Sequence, residues 1–128
     1  MNDLERVLLD LNWCSKYVDG KNYELYLALS VDDYLINWNE SKLDKQYFID
    51  RFNTLKPLTD WASKASFQIR EDIMGCTSLR RIAHNECTDA THFIWLDTDI
   101  CFDDKILYYM EASVDRLKET DVEVDKYF

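Results

Sequence analysis

The first twenty residues carry apolar side chains at helical spacing. The apolar positions share one face of a helix: Leu4, Val7, Leu8, Leu11 and Val18. A period of three to four residues predicts an amphipathic helix over about residues 3–19. Gly20 follows, at the place where a glycine commonly caps the C-terminal end of a helix. The chain is therefore expected to open with one helix.

Three short apolar runs predict β-strands. They are YELYLAL at residues 23–29, FQIR at residues 67–70 and FIWL at residues 93–96. The third run is apolar at consecutive positions, which is typical of a strand buried on both faces of a parallel sheet. Helical stripes occupy the intervals, at about residues 43–55, 79–87 and 107–117. The first of these follows Ser41 and Asp44, whose spacing resembles a capping box.

Helices and strands therefore alternate along the whole chain. This order favours right-handed crossovers and a parallel sheet with helices on both faces. We expect a single α/β domain over residues 1–128, with a Rossmann-like parallel sheet in a core at residues 23–118. The helix at residues 1–20 is an N-terminal addition to that core.

Acidic residues follow each predicted strand. They are Asp32 and Asp33, Glu71 and Asp72, and Asp97 and Asp99. The carboxyl ends of parallel strands lie at one edge of a sheet, where open α/β sheets bind ligands, so these acids are expected to meet there. Two carboxylates with one residue between them can hold a divalent cation, since oxygen ligands suit magnesium and manganese. Asp97 and Asp99 are the candidate metal ligands.

The charge and hydrophobicity of the chain argue against some classes of binding partner. The chain has 25 acidic and 15 basic residues and a net charge of -10, which argues against nucleic acid or an anionic membrane as the main partner. No stretch approaches the ~20 apolar residues that a transmembrane helix needs. The first residues lack the basic region of a signal peptide, so a cytoplasmic location is expected.

The cysteines show no paired spacing of the kind found in disulfide frameworks, so reduced thiols are expected. They are Cys14, Cys76, Cys87 and Cys101. Structural zinc sites usually have tightly spaced ligand pairs, which argues against a zinc site in this chain. The ligands of such a site would be Cys76, His84, Cys87 and His92.

The stretch SLRRIAHNECTDATHFIWLDTDICFDDKILYYMEAS, residues 78–113, resembles the nucleotide-sugar half of GT-A glycosyltransferases. In that family an arginine-containing helix leads into a Thr-His pair, a hydrophobic strand, a D-x-D motif and a further helix. The resemblance extends over about residues 23–118 and is strongest in Thr91–Phe102.

The resemblance implies that the chain binds a UDP- or GDP-linked sugar through a Mn²⁺ or Mg²⁺ ion. Asp99 would be the main metal ligand, and Asp97 would contact the ion, the ribose and the diphosphate. The other nucleotide-sugar contacts would come from Ser30, Asp32, Asp72 and Arg81. Of these, Asp72 would meet the base and Arg81 would lie near the diphosphate.

The acceptor-side half of a GT-A enzyme has no counterpart in this sequence, so no catalytic residue is assigned. Acids of the last predicted helix, such as Glu111, are expected to face solvent. We therefore expect a truncated or reduced module that binds its ligand with at most slow hydrolysis. We expect the open edges of a three-stranded sheet to be covered either by self-association into a homodimer or by the N-terminal helix and the tail DVEVDKYF.

Two alternatives to a glycosyltransferase-like domain stay open. The first is a phosphate-processing enzyme of the phosphatase type, in which Asp97 attacks phosphorus and Asp99 acts as the general acid. The second is a non-catalytic interaction domain derived from a glycosyltransferase.

Overall fold

The computed structural model describes residues 2–30, 44–70, 76–86 and 90–118. Within these ranges the α-helices are α1 (Asn2–Cys14), α2 (Lys45–Asn53), α3 (Cys76–Glu86) and α4 (Ile106–Lys118). The strands are β1 (Glu24–Ser30) and β2 (Lys64–Arg70). Short 3-10 turns cover Ser15–Tyr17, Gly20–Asn22 and Lys56–Thr59.

The two strands pair in parallel, in a register that aligns Glu24 with Lys64 and Ser30 with Arg70. Parallel neighbours need a crossover connection, and α2 lies in the segment that joins them. The parallel pairing and the mixed α/β class are thus confirmed for the described residues.

The apolar run at residues 93–96 is not a strand in the part of the chain that the structure describes. It has no regular secondary structure. Ile94 and Leu96 pack against a buried cluster, whereas the rings of Phe93 and Trp95 stack on each other. The prediction of a strand buried on both faces is therefore wrong, because the run joins neither described strand and Trp95 is exposed.

Two buried clusters hold the helices and the sheet together, and only the first of them contains strand residues. The first involves α1, the α2 region and β1, through Leu8, Leu27, Leu29, Phe52 and Leu55. The second joins α1 to α4 through Val7, Leu11, Cys14 and Leu107. Full burial of a leucine or phenylalanine contributes roughly 1.5–3 kcal/mol. The predicted apolar face of the first helix is therefore confirmed, and it serves both clusters.

The observed ends of α1 and α2 differ from the predicted ones. α1 ends at Cys14, and a 3-10 turn follows it. The N-cap of α2 is Asp44, whose carboxylate accepts a hydrogen bond from the backbone N–H of Tyr47 at 2.8 Å. Asp44 thus takes the capping position itself, while Ser41 lies outside the described residues.

Gly20 lies at a close approach of two backbones and not at a helix end. A Cβ atom at this position would lie 1.8 Å from the backbone carbonyl oxygen of Trp61. The backbone N–H of Ser63 donates to the carbonyl oxygens of Gly20 and Tyr23, at 3.0 Å each. The turn before β1 is thereby joined to the turn before β2, which positions the two strand starts side by side.

Candidate functional site

Asp97, Thr98 and Asp99 form an exposed turn between the Phe93–Trp95 stack and α4. Arg6 of α1 binds the backbone of this turn. Its guanidinium donates to the carbonyl oxygens of Thr98 at 3.1 Å and Ile100 at 2.5 Å. The turn is therefore anchored through its main chain, while the carboxylates of Asp97 and Asp99 remain exposed to solvent.

Arg6 was not among the sequence-predicted site residues. In the sequence, the only feature that marks Arg6 is Asp10, an acidic residue four positions later. The two side chains form a 3.0 Å ion pair. Such pairs are common on helix surfaces and do not indicate a contact with a loop that follows some ninety residues later. Only the packing of α1 against the segment after residue 93 brings Arg6 to the motif.

Arg80 of α3 contacts the same motif. Its Nη2 atom donates to Oδ1 of Asp97 at 2.9 Å, and its guanidinium carbon lies 6.0 Å from the centroid of the Trp95 ring. The two ion-paired side chains are 43% and 64% exposed, so the pair contributes at most about 1 kcal/mol. An arginine held this weakly can exchange its carboxylate partner for an anionic ligand.

Asp103 and Asp104, an acidic pair that follows the D-x-D motif, have structural contacts. The backbone N–H of Lys105 donates to the Asp103 carboxylate at 2.9 Å, in the turn that starts α4. The Tyr17 hydroxyl donates to Asp104 at 3.4 Å, and the Cys14 thiol donates to the Asp103 carbonyl oxygen at 3.6 Å. Asp103 and Asp104 thus connect the start of α4 to the end of α1.

The Cys14 thiol is held in its protonated form. Burial raises its pKa above the ordinary value of 9.0, and the charges of Asp104, Asp10 and Asp103 raise it further. A thiolate is the nucleophilic form of cysteine, so this environment argues against a catalytic role for Cys14. Cys14 and Cys101 are both free thiols, as the sequence predicted for them.

Tyr23, just before β1, donates a 2.6 Å hydrogen bond from its hydroxyl to Oε1 of Glu111 on α4. Burial, followed by this hydrogen bond and the negative charge of Glu111, raises the pKa of the Tyr23 hydroxyl well above its ordinary value of 10.0. Glu111 is half-buried, so the expectation that it faces solvent is wrong. The bond joins α4 to the sheet.

The structure describes only some of the other residues predicted to contact the nucleotide sugar. Ser30 is the last residue of β1, and Arg81 is an exposed residue of α3. Asp32 and Asp72 lie outside the described residues, as do Asp33 and Glu71. The structure therefore groups Asp97 and Asp99 with two arginines, Arg6 and Arg80, and leaves the predicted role of Arg81 as a prediction.

Asp97 and Asp99 do not form a complete metal site among the described residues. Within residues 2–30, 44–70, 76–86 and 90–118, no three His, Cys, Asp or Glu side chains form a group that could hold a metal ion. Asp97 and Asp99 supply carboxylate oxygens, which suit Mn²⁺ or Mg²⁺, but not a complete coordination shell. A cation at these two carboxylates would have to take its other ligands from outside the described residues.

Comparisons of the chain with protein-family models, with curated proteins and with solved structures give no match. None of the described helices is long and apolar enough to cross a membrane. The fold and the site together define an α/β protein with an exposed acidic turn anchored by an arginine.

Proposed function

We propose that this chain binds a nucleoside-diphosphate sugar, UDP- or GDP-linked, through a divalent cation held by Asp97 and Asp99. The observation that carries the proposal is the anchored turn: Arg6 binds its backbone, and both carboxylates stay exposed. A ligand-binding site works best when supporting residues hold its backbone in place before the ligand binds. The GT-A-like, Rossmann-like arrangement of the whole chain belongs to the same proposal.

Arg80 completes the proposed diphosphate site. A guanidinium binds phosphate oxygens through paired hydrogen bonds, and the present partner of Arg80, Asp97, is an exposed carboxylate. A bound diphosphate would take Arg80 away from Asp97, which would leave that carboxylate to the cation. Ser30, Asp32, Asp72 and Arg81 are proposed as further contacts, on the resemblance alone.

The cation, when bound, would neutralise charge on the diphosphate and so stabilise it as a leaving group. The chain's own residues hold the ligand: Asp97 and Asp99 bind the ion, Arg80 binds phosphate, and Arg6 keeps the turn in position. The proposal is for binding, with at most slow hydrolysis, and it assigns no base to an acceptor hydroxyl. A cytoplasmic location and a homodimeric state belong to it and rest on the sequence alone.

Calorimetry tests this function directly. Because two carboxylates make an incomplete metal site, we expect Mn²⁺ alone and UDP alone to bind weakly, and each to bind tighter when the other is present. Asp99→Ala should abolish the mutual enhancement, and Asp97→Ala should weaken nucleotide binding while leaving some response to Mn²⁺. Asp115→Ala, which removes an exposed acid from α4, is the charge-matched control and should bind like the wild type.

Two results would contradict the proposal. One is the absence of binding for UDP, GDP and their sugar conjugates with Mn²⁺ or Mg²⁺, in a protein shown to be folded by circular dichroism. The other is an equal, negligible effect of Asp97→Ala and Asp99→Ala. Release of phosphate from a chromogenic phosphate ester, lost in Asp97→Asn, would support the phosphatase-type alternative instead.

A further inference from the structure

We infer that the stacked rings of Phe93 and Trp95, termed here the aromatic ledge, bind the base of the nucleotide whose diphosphate is held by Arg80 and by the cation at Asp97 and Asp99. This inference rests on the proposed function and specifies which part of the ligand each surface takes. The sequence resemblance assigned the base to other residues, Asp72 above all, and gave the ledge no role.

The aromatic ledge is a formed surface. The two ring centroids lie 5.7 Å apart with an angle of 13° between the ring planes. Ile94 and Leu96 pack against the buried cluster around Val7 and Leu107, which fixes the backbone on which the rings are carried. Trp95 nevertheless stays 39% exposed, so part of a large ring is available to a ligand.

The aromatic ledge and the acidic motif lie within reach of one side chain. Arg80 approaches the Trp95 ring at 6.0 Å and donates to Asp97 at 2.9 Å. Trp95 and Asp97 are two residues apart, which spans at most roughly 7 Å of backbone. Arg80 therefore places a guanidinium between an aromatic surface and a carboxylate.

A nucleoside diphosphate presents the matching series of groups: a planar base, a ribose and an anionic diphosphate. Bases stack on exposed aromatic side chains, and such stacking tolerates any base because every base has a π-face. The aromatic ledge should accordingly add affinity for UDP and GDP alike without selecting between them. Residues outside the aromatic ledge would have to distinguish uracil from guanine.

The test compares ligands with and without a base. Kd is measured by calorimetry with Mn²⁺ for UDP, GDP and inorganic pyrophosphate, for the wild type, Trp95→Ala and Trp95→Phe. We expect Trp95→Ala to weaken UDP and GDP binding by about tenfold and to leave pyrophosphate binding unchanged. Trp95→Phe, which keeps a ring, should retain most of the affinity.

The control is Tyr108→Ala, which removes another exposed aromatic residue, 52% accessible and located on α4. It should change none of the three Kd values. Quenching of tryptophan fluorescence by UDP gives a second measure and should be largely lost in Trp95→Phe, which keeps the other three tryptophans.

The outcomes separate the two hypotheses. Binding of Mn²⁺ with pyrophosphate and UDP at equal strength, or an unchanged UDP affinity in Trp95→Ala, would overturn the role of the aromatic ledge and leave the metal–diphosphate site standing. An equal loss for pyrophosphate and UDP in both Trp95 variants would mean that Trp95 only supports the fold. Failure of all three ligands to bind wild-type protein would overturn both.

Discussion

The guanidinium of Arg6 lies 3.1 Å from the carbonyl oxygen of Thr98, the residue between the two acids of the D-x-D motif. The same side chain reaches the carbonyl oxygen of Ile100. A residue of the first helix thus determines where the motif lies, although the motif follows some ninety residues later. The position of the candidate site therefore depends on the packing of α1.

Replacement of Arg6 by alanine should loosen the turn and destabilise the protein. A hydrogen bond from a charged group is worth about 1.5–3 kcal/mol, and partial exposure of Arg6 reduces this, so we expect a loss of about 1–2 kcal/mol in the free energy of unfolding in urea. UDP–Mn²⁺ affinity should fall as well. Asp10→Ala removes the ion pair within the helix, leaves the contacts of Arg6 with the turn, and should cost about 0.5 kcal/mol or less at neutral pH. Equal effects of the two variants would contradict the anchoring role.

Arg80→Ala should weaken ligand binding and have little effect on the stability of the fold. Its ion pair with Asp97 is exposed, so the free energy of unfolding should change by less than about 1 kcal/mol. Loss of a charged hydrogen bond to phosphate should weaken UDP–Mn²⁺ binding by about tenfold or more. Arg81→Ala is the neighbouring control and tests the sequence-based prediction at the same time. A larger loss of affinity in Arg81→Ala would favour Arg81 as the diphosphate ligand.

Gly20→Ala should destabilise the fold strongly. The new methyl group would lie 1.8 Å from the carbonyl oxygen of Trp61, a backbone atom that cannot move without shifting the start of β2. We expect a loss of at least about 2 kcal/mol, measured by urea unfolding. Lys21→Ala, at an exposed adjacent position, should have little effect. A wild-type midpoint for Gly20→Ala would show that the two turns can separate without cost.

Stability should fall at alkaline pH. The pKa values of Cys14 and Tyr23 are raised in the folded protein above their ordinary values of 9.0 and 10.0. The unfolded chain therefore releases these protons first, so the stabilisation is complete below about pH 9 and is lost as the pH rises beyond it. Urea unfolding between pH 7 and 11 measures this loss.

Substitution of Tyr23 measures its contribution to the loss of stability at alkaline pH. Tyr23→Phe removes the titrating hydroxyl, so its unfolding free energy should decline less steeply above pH 10 than that of the wild type. At pH 7 the same variant should be less stable, because it leaves the half-buried carboxylate of Glu111 without its donor. Parallel pH curves for the two proteins would rule out Tyr23 as a contributor.

Local patterns of the sequence predicted much of the fold. The apolar face of α1, the parallel strands β1 and β2 and the helices that flank them follow from residue spacing, because burial of one face imposes a period of 3.6 residues on a helix. Each of these features depends on neighbours within a few positions of the chain.

Other features were decided by tertiary structure alone. The run at residues 93–96 reads as a buried strand, yet a strand also needs a hydrogen-bonded partner, and side-chain hydrophobicity does not specify one. Arg6 and Arg80 reach the motif only because their helices pack beside it. The sequence by itself determined which residues are acidic, aromatic or apolar and which segments form helices. Contacts between distant segments determined which of those residues lie next to one another.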